Sequence, residues 1–172
     1  PVKEIIERCH SRNIPVLVDG AQGIVHQQVD VQKLDVDFYA FSGHKMYAST
    51  GTGVLYGKRK YLDLMPPFMG GGEMISSVSF AKTTYAPIPG KFEAGTQSFN
   101  VIPTFKDAIE VWKLLNSKEL EQQYEEIKTY VLNYLSNNEN IRLFGTPEKS
   151  EDKIALFSFV VKGVHQIGRA HV

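Results

Sequence analysis

Two residues that could do chemistry, Asp19 and Lys45, each follow a short apolar run typical of a buried strand. Asp19 ends the run 14–19, and Lys45 comes three residues after the run 36–42. Ligands of open α/β sheets bind outside the carboxyl ends of the strands, so both side chains are expected to reach one pocket. A partly desolvated amine there could form a Schiff base, and an opposing carboxylate could keep a pyridine nitrogen protonated. The pair therefore predicts a site for pyridoxal 5'-phosphate.

Each signal has a simpler interpretation when it is taken alone. An aspartate at a strand end often forms a turn or a helix cap, and a lysine after a strand is often solvated. His44 could be a core histidine with satisfied hydrogen bonds. A hydrolase triad of Ser42, His44 and Asp19 is disfavoured, since the serine and the histidine flank one glycine and no nucleophile elbow surrounds the serine. A phosphate-binding loop at Gly57-Lys58 is disfavoured because the Walker spacing is absent.

The composition argues against several classes of function. The 19 basic residues balance 19 acidic ones, so charge gives no reason to expect nucleic-acid binding or an anionic membrane surface. No apolar run approaches the length of a membrane span, and we expect a cytoplasmic protein without a membrane segment. The single cysteine, Cys9, excludes an internal disulfide framework and a multi-cysteine metal site, and no metal is expected.

Apolar spacing predicts the elements that position the candidate residues. Helices are predicted at 2–12, 103–115 and 117–135, and strands at 14–19, 36–42, 54–56, 141–144 and 154–161. The link between strands 36–42 and 54–56 is too short for a parallel crossover, so these two strands should be antiparallel and the sheet mixed. Residues 76–91 show no period and are predicted to form an extended loop.

The first and last of these helices are predicted to be amphipathic. The first carries its apolar face at Val2, Ile5, Ile6 and Cys9, which makes the cysteine a small core residue. The apolar face of the last helix repeats at intervals of three and four residues. Its members are Leu120, Tyr124, Ile127, Val131 and Leu135. The opposite face, which includes Lys128, is charged and predicted to be solvated.

Four segments, in a fixed order, carry a resemblance to a known family. They are 18–22 (VDGAQ), 41–47 (FSGHKMY), 65–75 (MPPFMGGGEMI) and 91–96 (KFEAGT). Together they resemble the cysteine desulfurases of the SufS type, which belong to the fold-type I, aminotransferase class V group of pyridoxal-phosphate enzymes. The resemblance runs from residue 1 to about residue 166. It departs locally at Ala48-Ser49 and Gln97-Ser98, where the family usually has Gly-Pro and Pro-Asn.

The resemblance implies an α/β fold, with the three-layer mixed sheet of the pyridoxal-phosphate-dependent transferase large domain and the start of a smaller α+β C-terminal domain. A long helix that leads to new strands predicts the boundary near Asn137. Residues 1–136 are then part of the large domain with the helices leading out of it, and 137–166 are the truncated start of the small domain. Residues 167–172 resemble a translated sequencing adaptor and are interpreted as a non-native tail, so we expect an internal fragment.

The same resemblance implies a role for each candidate residue. Lys45 would bind the cofactor covalently and move protons at the substrate carbon. Asp19 would pair with the pyridine nitrogen. Gln22 would donate a hydrogen bond to the phenolic oxygen of the cofactor.

Three further residues match positions that hold the cofactor phosphate. Ser42 and His44 would contact it within one subunit, which suits a hydroxyl and an imidazole beside a glycine. Thr96 would reach the phosphate of the neighbouring subunit. The resemblance therefore also implies a homodimer with shared active sites.

The activity implied is that of a cysteine desulfurase, which converts L-cysteine to L-alanine and passes persulfide sulfur to an acceptor protein for iron-sulfur cluster assembly. The family also uses an upstream histidine that stacks on the cofactor, a catalytic cysteine and a carboxylate-binding arginine, and none of these matches a residue of this sequence. Cys9 is not the nucleophile on this interpretation, and the chain alone is expected to be inactive. The alternatives are a selenocysteine lyase acting on L-selenocysteine, another class V enzyme, and a catalytically inactive cofactor-binding fragment.

Overall fold

The structure, a computed structural model, describes residues 1–145 and 153–165. The predicted tail 167–172 and part of the predicted small domain, residues 146–152 and 166, lie outside the described residues. The chain divides into two compact units, 1–112 and 113–172. The helices are α1 (Val2–His10), α2 (Gly23–His26), α3 (Val31–Leu34), α4 (Arg59–Leu64), α5 (Thr104–Leu115) and α6 (Lys118–Ser136). The strands are β1 (Leu17–Asp19), β2 (Phe38–Ser42), β3 (Gly53–Gly57), β4 (Ile75–Val78), β5 (Thr83–Tyr85), β6 (Ile141–Phe144) and β7 (Ser158–Val161).

The main sheet of the first unit has the order β1-β2-β3. β1 and β2 are parallel, with Asp19 opposite Ala40. β2 and β3 are antiparallel, with Ser42 opposite Gly53. The prediction of a mixed sheet with an antiparallel third strand is therefore confirmed, and the reason is the short link, which leaves no room for a crossover.

The core of the first unit is built on Ile6, Val36 and Tyr39, which are all buried. The predicted face of α1 is only partly correct. Ile6 is buried, but Val2 and Ile5 are 45% and 52% exposed and Cys9 is half-buried. The helix thus presses one row of side chains onto the core and leaves the neighbouring row accessible, so Cys9 is not the fully buried residue that the spacing predicts.

A ring of four ionisable side chains joins the beginning of β2 to its neighbours. Asp37, which the sequence places inside an apolar run, is fully buried, and its Oδ2 lies 2.7 Å from His10 Nε2 and accepts from the Val16 amide at 2.8 Å. Lys58 Nζ lies 3.0 Å from Asp37 Oδ1 and 2.6 Å from Asp35 Oδ1. His10 Nδ1 closes the ring at 3.3 Å from Asp35 Oδ2. Burial alone would raise the Asp37 pKa, but the hydrogen bonds from His10, Val16 and Lys58 outweigh it and lower the pKa to about 2.

Residues 76–91 do not form the predicted extended loop throughout. β4 and β5 make an antiparallel hairpin with an irregular register between Ile75 and Ser77. The hydroxyls of Ser77 and Thr84 are 2.6 Å apart across it, and the Ser79 amide donates to the Lys82 carbonyl at 2.9 Å in the turn. Because every residue of β4 is exposed, its sequence shows no alternation of apolar and polar residues, and that alternation is the signal on which the prediction of a strand depends.

The second unit contains α6 and the antiparallel pair β6 and β7. Ser117 caps α6 by accepting from the Leu120 amide, which confirms the predicted start of the helix. The buried face is rotated from the predicted one. Lys128 is only 3% exposed and Ile127 is 64% exposed. The Lys128 ammonium is tolerated there because Glu125 lies 2.6 Å away and the Lys153 carbonyl accepts from it at 3.1 Å.

Within the described ranges, no helix is long and apolar enough to cross a membrane.

Candidate active site

The ends of β1 and β2 place Asp19 and the Lys45 turn at the same edge of the sheet. The Gly20 amide donates to the Ala40 carbonyl at 2.8 Å, which continues the pairing one residue past Asp19. β2 runs on to Ser42 and is followed by a 3₁₀ turn at 43–46 that carries Lys45. Because the two strands are parallel neighbours, their carboxyl ends emerge side by side, as the sequence predicts.

The turn after β1 is shaped by Tyr39. A β-carbon on Gly20 would lie 1.9 Å from Tyr39 Cζ, so only glycine allows the chain to pass over the ring here. Asp19 itself is exposed, and its Oδ1 accepts from the Ala21 amide at 3.0 Å. Burial, together with the Asp19 carboxylate, raises the Tyr39 pKa above its ordinary value.

The 3₁₀ turn is fixed by its buried residues. Gly43 donates from its amide to the Thr52 carbonyl at 2.8 Å, and a β-carbon on it would lie 2.5 Å from Thr52 Oγ1 and 2.8 Å from Phe105 Cζ. Met46, three positions later, is also buried. In a 3₁₀ turn, residues i and i+3 lie on the same side. His44 and Lys45 are therefore directed away from the core, and both are exposed.

This exposure differs from the predicted partial desolvation of Lys45. The turn extends beyond the end of β2, and its apolar side faces the core while its charged side does not. Within 1–145 and 153–165, the side chains of Gln22, His44 and Lys45 have no hydrogen-bond or ion-pair partner. Their polar groups are therefore accessible to a ligand. Ser42 is half-buried at the end of β2.

Thr96 lies in the first unit. It lines a cavity of about 380 Å³ together with Glu73, Gly90, Glu93, Gln97 and Phe99. That lining contains none of the other predicted site residues. The Gly95 amide donates to the Gly72 carbonyl at 2.9 Å, so the segment 91–96 lies directly against the glycine loop 70–72. The two later segments of the resemblance are thus joined in space.

Two contacts near these segments have no sequence signal that would have revealed them. Tyr39 was predicted only as part of an apolar strand, but its ring determines the path of the turn after Asp19. Lys91 was recognised only as the first residue of a matching segment, but its ammonium contacts the end of α4. Both contacts join residues that are distant in sequence, and spacing along one element cannot reveal such pairs.

Among the described residues, no group of three or more His, Cys, Asp or Glu side chains is arranged to hold a metal ion. The polar groups at the sheet edge are instead a carboxylate, an amide, a hydroxyl, an imidazole and an amine. This set suits an organic ligand that carries a phosphate and an aldehyde better than a metal ion.

Comparison with known proteins agrees with the resemblance seen in the sequence. The family described as aminotransferase class-V matches residues 1–172. A probable cysteine desulfurase from Vibrio cholerae serotype O1 is 41% identical over 165 residues, which are 96% of this chain and 40% of that protein. The crystal structure of the Escherichia coli cysteine desulfurase CsdA is similar with a TM-score of 0.82 and 38% identity, over 95% of this chain and 40% of that one.

An archaeal structure gives the same result at lower identity. The apo structure of a cysteine desulfurase from Thermococcus onnurineus NA1 has a TM-score of 0.82 and 29% identity, over 95% of this chain and 41% of that one. The chain thus spans about 40% of the length of the relatives it matches. Since the family match extends over the whole sequence and the strand ends carry the residues expected of it, this chain belongs to the class-V aminotransferase family.

Proposed function

We propose that this chain is the part of a pyridoxal-phosphate-dependent cysteine desulfurase that carries the cofactor lysine. The observation that supports the proposal best is the parallel pairing of β1 and β2, which brings Asp19 and the Lys45 turn to one edge of the sheet. The identity of 41% to a probable cysteine desulfurase supports the choice of reaction within the family. The activity belongs to the whole enzyme, of which these residues correspond to about 40%.

The groups at the sheet edge fit the proposed cofactor. When bound, pyridoxal 5'-phosphate supplies an aldehyde that combines with amines and a ring that accepts electrons. Lys45 Nζ is accessible and unpaired among the described residues, as covalent attachment requires. The Asp19 carboxylate keeps one oxygen available, since only Oδ1 accepts from Ala21. Asp19 would hold a proton on the pyridine nitrogen through that carboxylate.

The remaining groups orient the cofactor and its phosphate. Gln22 donates from its side-chain amide to the phenolic oxygen. Ser42 and His44 donate to the phosphate from the end of β2 and from the turn that follows, and Thr96 donates to the phosphate of a second subunit. This last role requires a homodimer.

Lys45 also carries the protons of the proposed reaction. Its amine takes and returns a proton at the substrate α-carbon, which is the work of a general base and acid. The catalytic cysteine of the whole enzyme, which no residue of this sequence matches, would then attack the sulfur of L-cysteine as a thiolate. The carbon–sulfur bond breaks, the attacking cysteine becomes a persulfide, and the remaining carbon chain takes up a proton and leaves as L-alanine. The sulfur passes as a persulfide to an acceptor protein and on to iron-sulfur clusters. L-selenocysteine differs by one atom, so selenocysteine lyase activity is the alternative that the same site would support.

The larger architecture is proposed with the function. Residues 1–136 form part of a three-layer large domain together with residues of the remaining enzyme, and 137–166 begin a smaller α+β domain. The helix α6 leads from one to the other at this boundary.

A chimera tests the proposal. Residues 1–165 replace the matching segment of the Vibrio cholerae relative, and the protein is reduced with borohydride and mapped by peptide mass. We expect visible absorbance from the bound cofactor and a label on Lys45, together with release of alanine and sulfide from cysteine. Lys45→Ala should abolish the label and the release of alanine and sulfide, while some cofactor still binds through Ser42 and His44. Lys33→Ala, at an exposed lysine, should abolish none of the signals. A label on Lys33 or Lys91 would show that the assignment of Lys45 is wrong.

A further inference from the structure

Lys91 makes a contact that the proposed chemistry does not use. Its Nζ donates to the Met65 carbonyl at 2.9 Å and lies 3.3 Å from the Asp63 carbonyl. These carbonyls belong to the last turn of α4 and to the residue that follows it. The last carbonyls of a helix have no partner within the helix, so an ammonium at this position satisfies them. The side chain therefore joins the turn 90–92 to the end of α4.

The same segment is held again four residues later. The Gly95 amide donates to the Gly72 carbonyl at 2.9 Å, and Gly95 has φ +86°. The chain also approaches the glycine loop closely, because a β-carbon on Gly71 would lie 3.2 Å from the Gly95 nitrogen and 3.3 Å from the Ala94 β-carbon. The segment between Lys91 and Gly95 is thus fixed at both ends, and Thr96 follows the second attachment directly.

Backbone hydrogen bonds hold together the turn that carries Lys91. The Phe92 and Glu93 amides donate to the Pro89 and Gly90 carbonyls at 3.0 Å. Lys91 therefore lies within a hydrogen-bonded turn, which ends two residues before the second attachment at Gly95. Gly90, Glu93 and Thr96 also line the 380 Å³ cavity, so one movement would alter both the cavity and the threonine.

We propose that Lys91 is a positioning residue that sets the place of Thr96, and thereby the affinity of the site for a phosphate group. The inference rests on the proposed function, in which Thr96 donates to the cofactor phosphate. Lys91 itself touches neither the phosphate nor the substrate. Substitution of Lys91 should therefore weaken the binding of ligands that carry a phosphate and leave the binding of other ligands unchanged. A general loss of folding would weaken the binding of both.

The first test uses the 172-residue chain and needs no cofactor. Amide hydrogen exchange is measured in the wild type, Lys91→Met and Lys91→Arg. Methionine keeps the length of the side chain without a donor, and arginine keeps the charge and the donors. We expect the Gly95 amide to exchange about tenfold faster in Lys91→Met than in the wild type, and at the wild-type rate in Lys91→Arg. The exchange rate of the Gly20 amide should be unchanged in both variants. Equal protection of Gly95 in all three proteins would overturn the proposal.

The second test separates the phosphate from the rest of the ligand. Affinity for pyridoxal 5'-phosphate and for pyridoxal, which has no phosphate, is measured in the chimera. Lys91→Met should lower the affinity for pyridoxal 5'-phosphate by about tenfold, which is the loss expected for one hydrogen bond to a charged group. The affinity for pyridoxal should be unchanged. Thr96→Ala should do the same, and the double variant should lose no more than Thr96→Ala alone. Lys82→Met, at an exposed lysine in the hairpin turn, should have no effect.

The outcomes distinguish this inference from the proposed function. If the wild-type chimera fails to bind the cofactor at Lys45, the proposed function fails, while the exchange result still decides the structural role of Lys91. If the wild type binds and Lys91→Met weakens both ligands equally, or the two substitutions add, Lys91 does not act through Thr96 and the inference is wrong.

Discussion

The ring of Tyr39 lies directly beneath Gly20, so close that a β-carbon on the glycine would come within 1.9 Å of Tyr39 Cζ. Tyr39 is buried in β2, and Gly20 is the first residue after β1. The neighbouring strands are thus coupled at the point where the chain turns toward the candidate site. The contact sets the direction in which the chain leaves Asp19.

Gly20→Ala should therefore destabilise the protein. The new methyl group cannot be accommodated unless the Tyr39 ring moves, and overpacking of this kind costs about 1–3 kcal/mol. Chemical denaturation measures the loss in free energy of unfolding. Gly70→Ala is the matched control, since a β-carbon there has no heavy atom within 4 Å, and it should change the free energy by less than about 0.5 kcal/mol. Equal effects of the two substitutions would contradict the packing argument.

Asp37→Asn should destabilise the protein strongly at neutral pH. The substitution removes a buried charge from between His10 and Lys58, and breaking such a pair costs about 3 kcal/mol. Thermal and chemical unfolding measure the loss. Asp63→Asn, which affects an exposed ion pair with Arg59, should cost less than about 1 kcal/mol.

The Asp37 pKa also predicts a pH dependence. Its folded value of about 2 lies below the ordinary value of 3.8, so the carboxylate stabilises the folded state above pH 3.8. That stability should be lost progressively as the pH falls from 3.8 toward 2. Denaturation curves between pH 5 and 2 should show a steeper loss in the wild type than in Asp37→Asn. Parallel pH profiles would show that Asp37 does not titrate in this window.

The 172-residue chain should not convert cysteine to alanine, even with added cofactor. The only thiol in the sequence is Cys9, which is half-buried in α1. His10 of the same helix contacts Asp37 before β2 begins, and Lys45 lies beyond the other end of that strand. A strand of five residues spans roughly 16 Å, so Cys9 cannot reach a substrate at Lys45. Assays of alanine and sulfide test this. Alanine formed by the wild type and not by Cys9→Ser would identify Cys9 as the nucleophile.

Local patterns in the sequence were enough to predict the framework of the candidate site. Asp19 and Lys45 follow apolar runs, and the structure has β1 and β2 at those runs as parallel neighbours. The antiparallel direction of β3 followed from the length of one link. The start of α6 followed from Ser117 as its cap. Each of these depends on a few adjacent residues, and local hydrogen bonding and chain length decide such features.

Patterns of polarity were a poorer guide to burial. Asp37 lies inside an apolar run and Lys128 on a charged helix face, yet both are buried. Each is stabilised by opposite charges that the fold supplies, so its burial depends on partners and not on its own polarity. The hairpin of β4 and β5 was missed for the converse reason, because β4 is exposed throughout and carries no alternation of polar and apolar residues.

The sequence by itself determined the strands β1 to β3, the long helices and which polar residues stand at the ends of strands, because these depend on the spacing of side chains along one piece of chain. Only the tertiary structure decided the exposure of Lys45, the packing of Tyr39 under Gly20 and the anchoring of Lys91 at the end of α4. The contacts among these features join residues that are up to 28 positions apart, and such contacts exist only after the chain has folded.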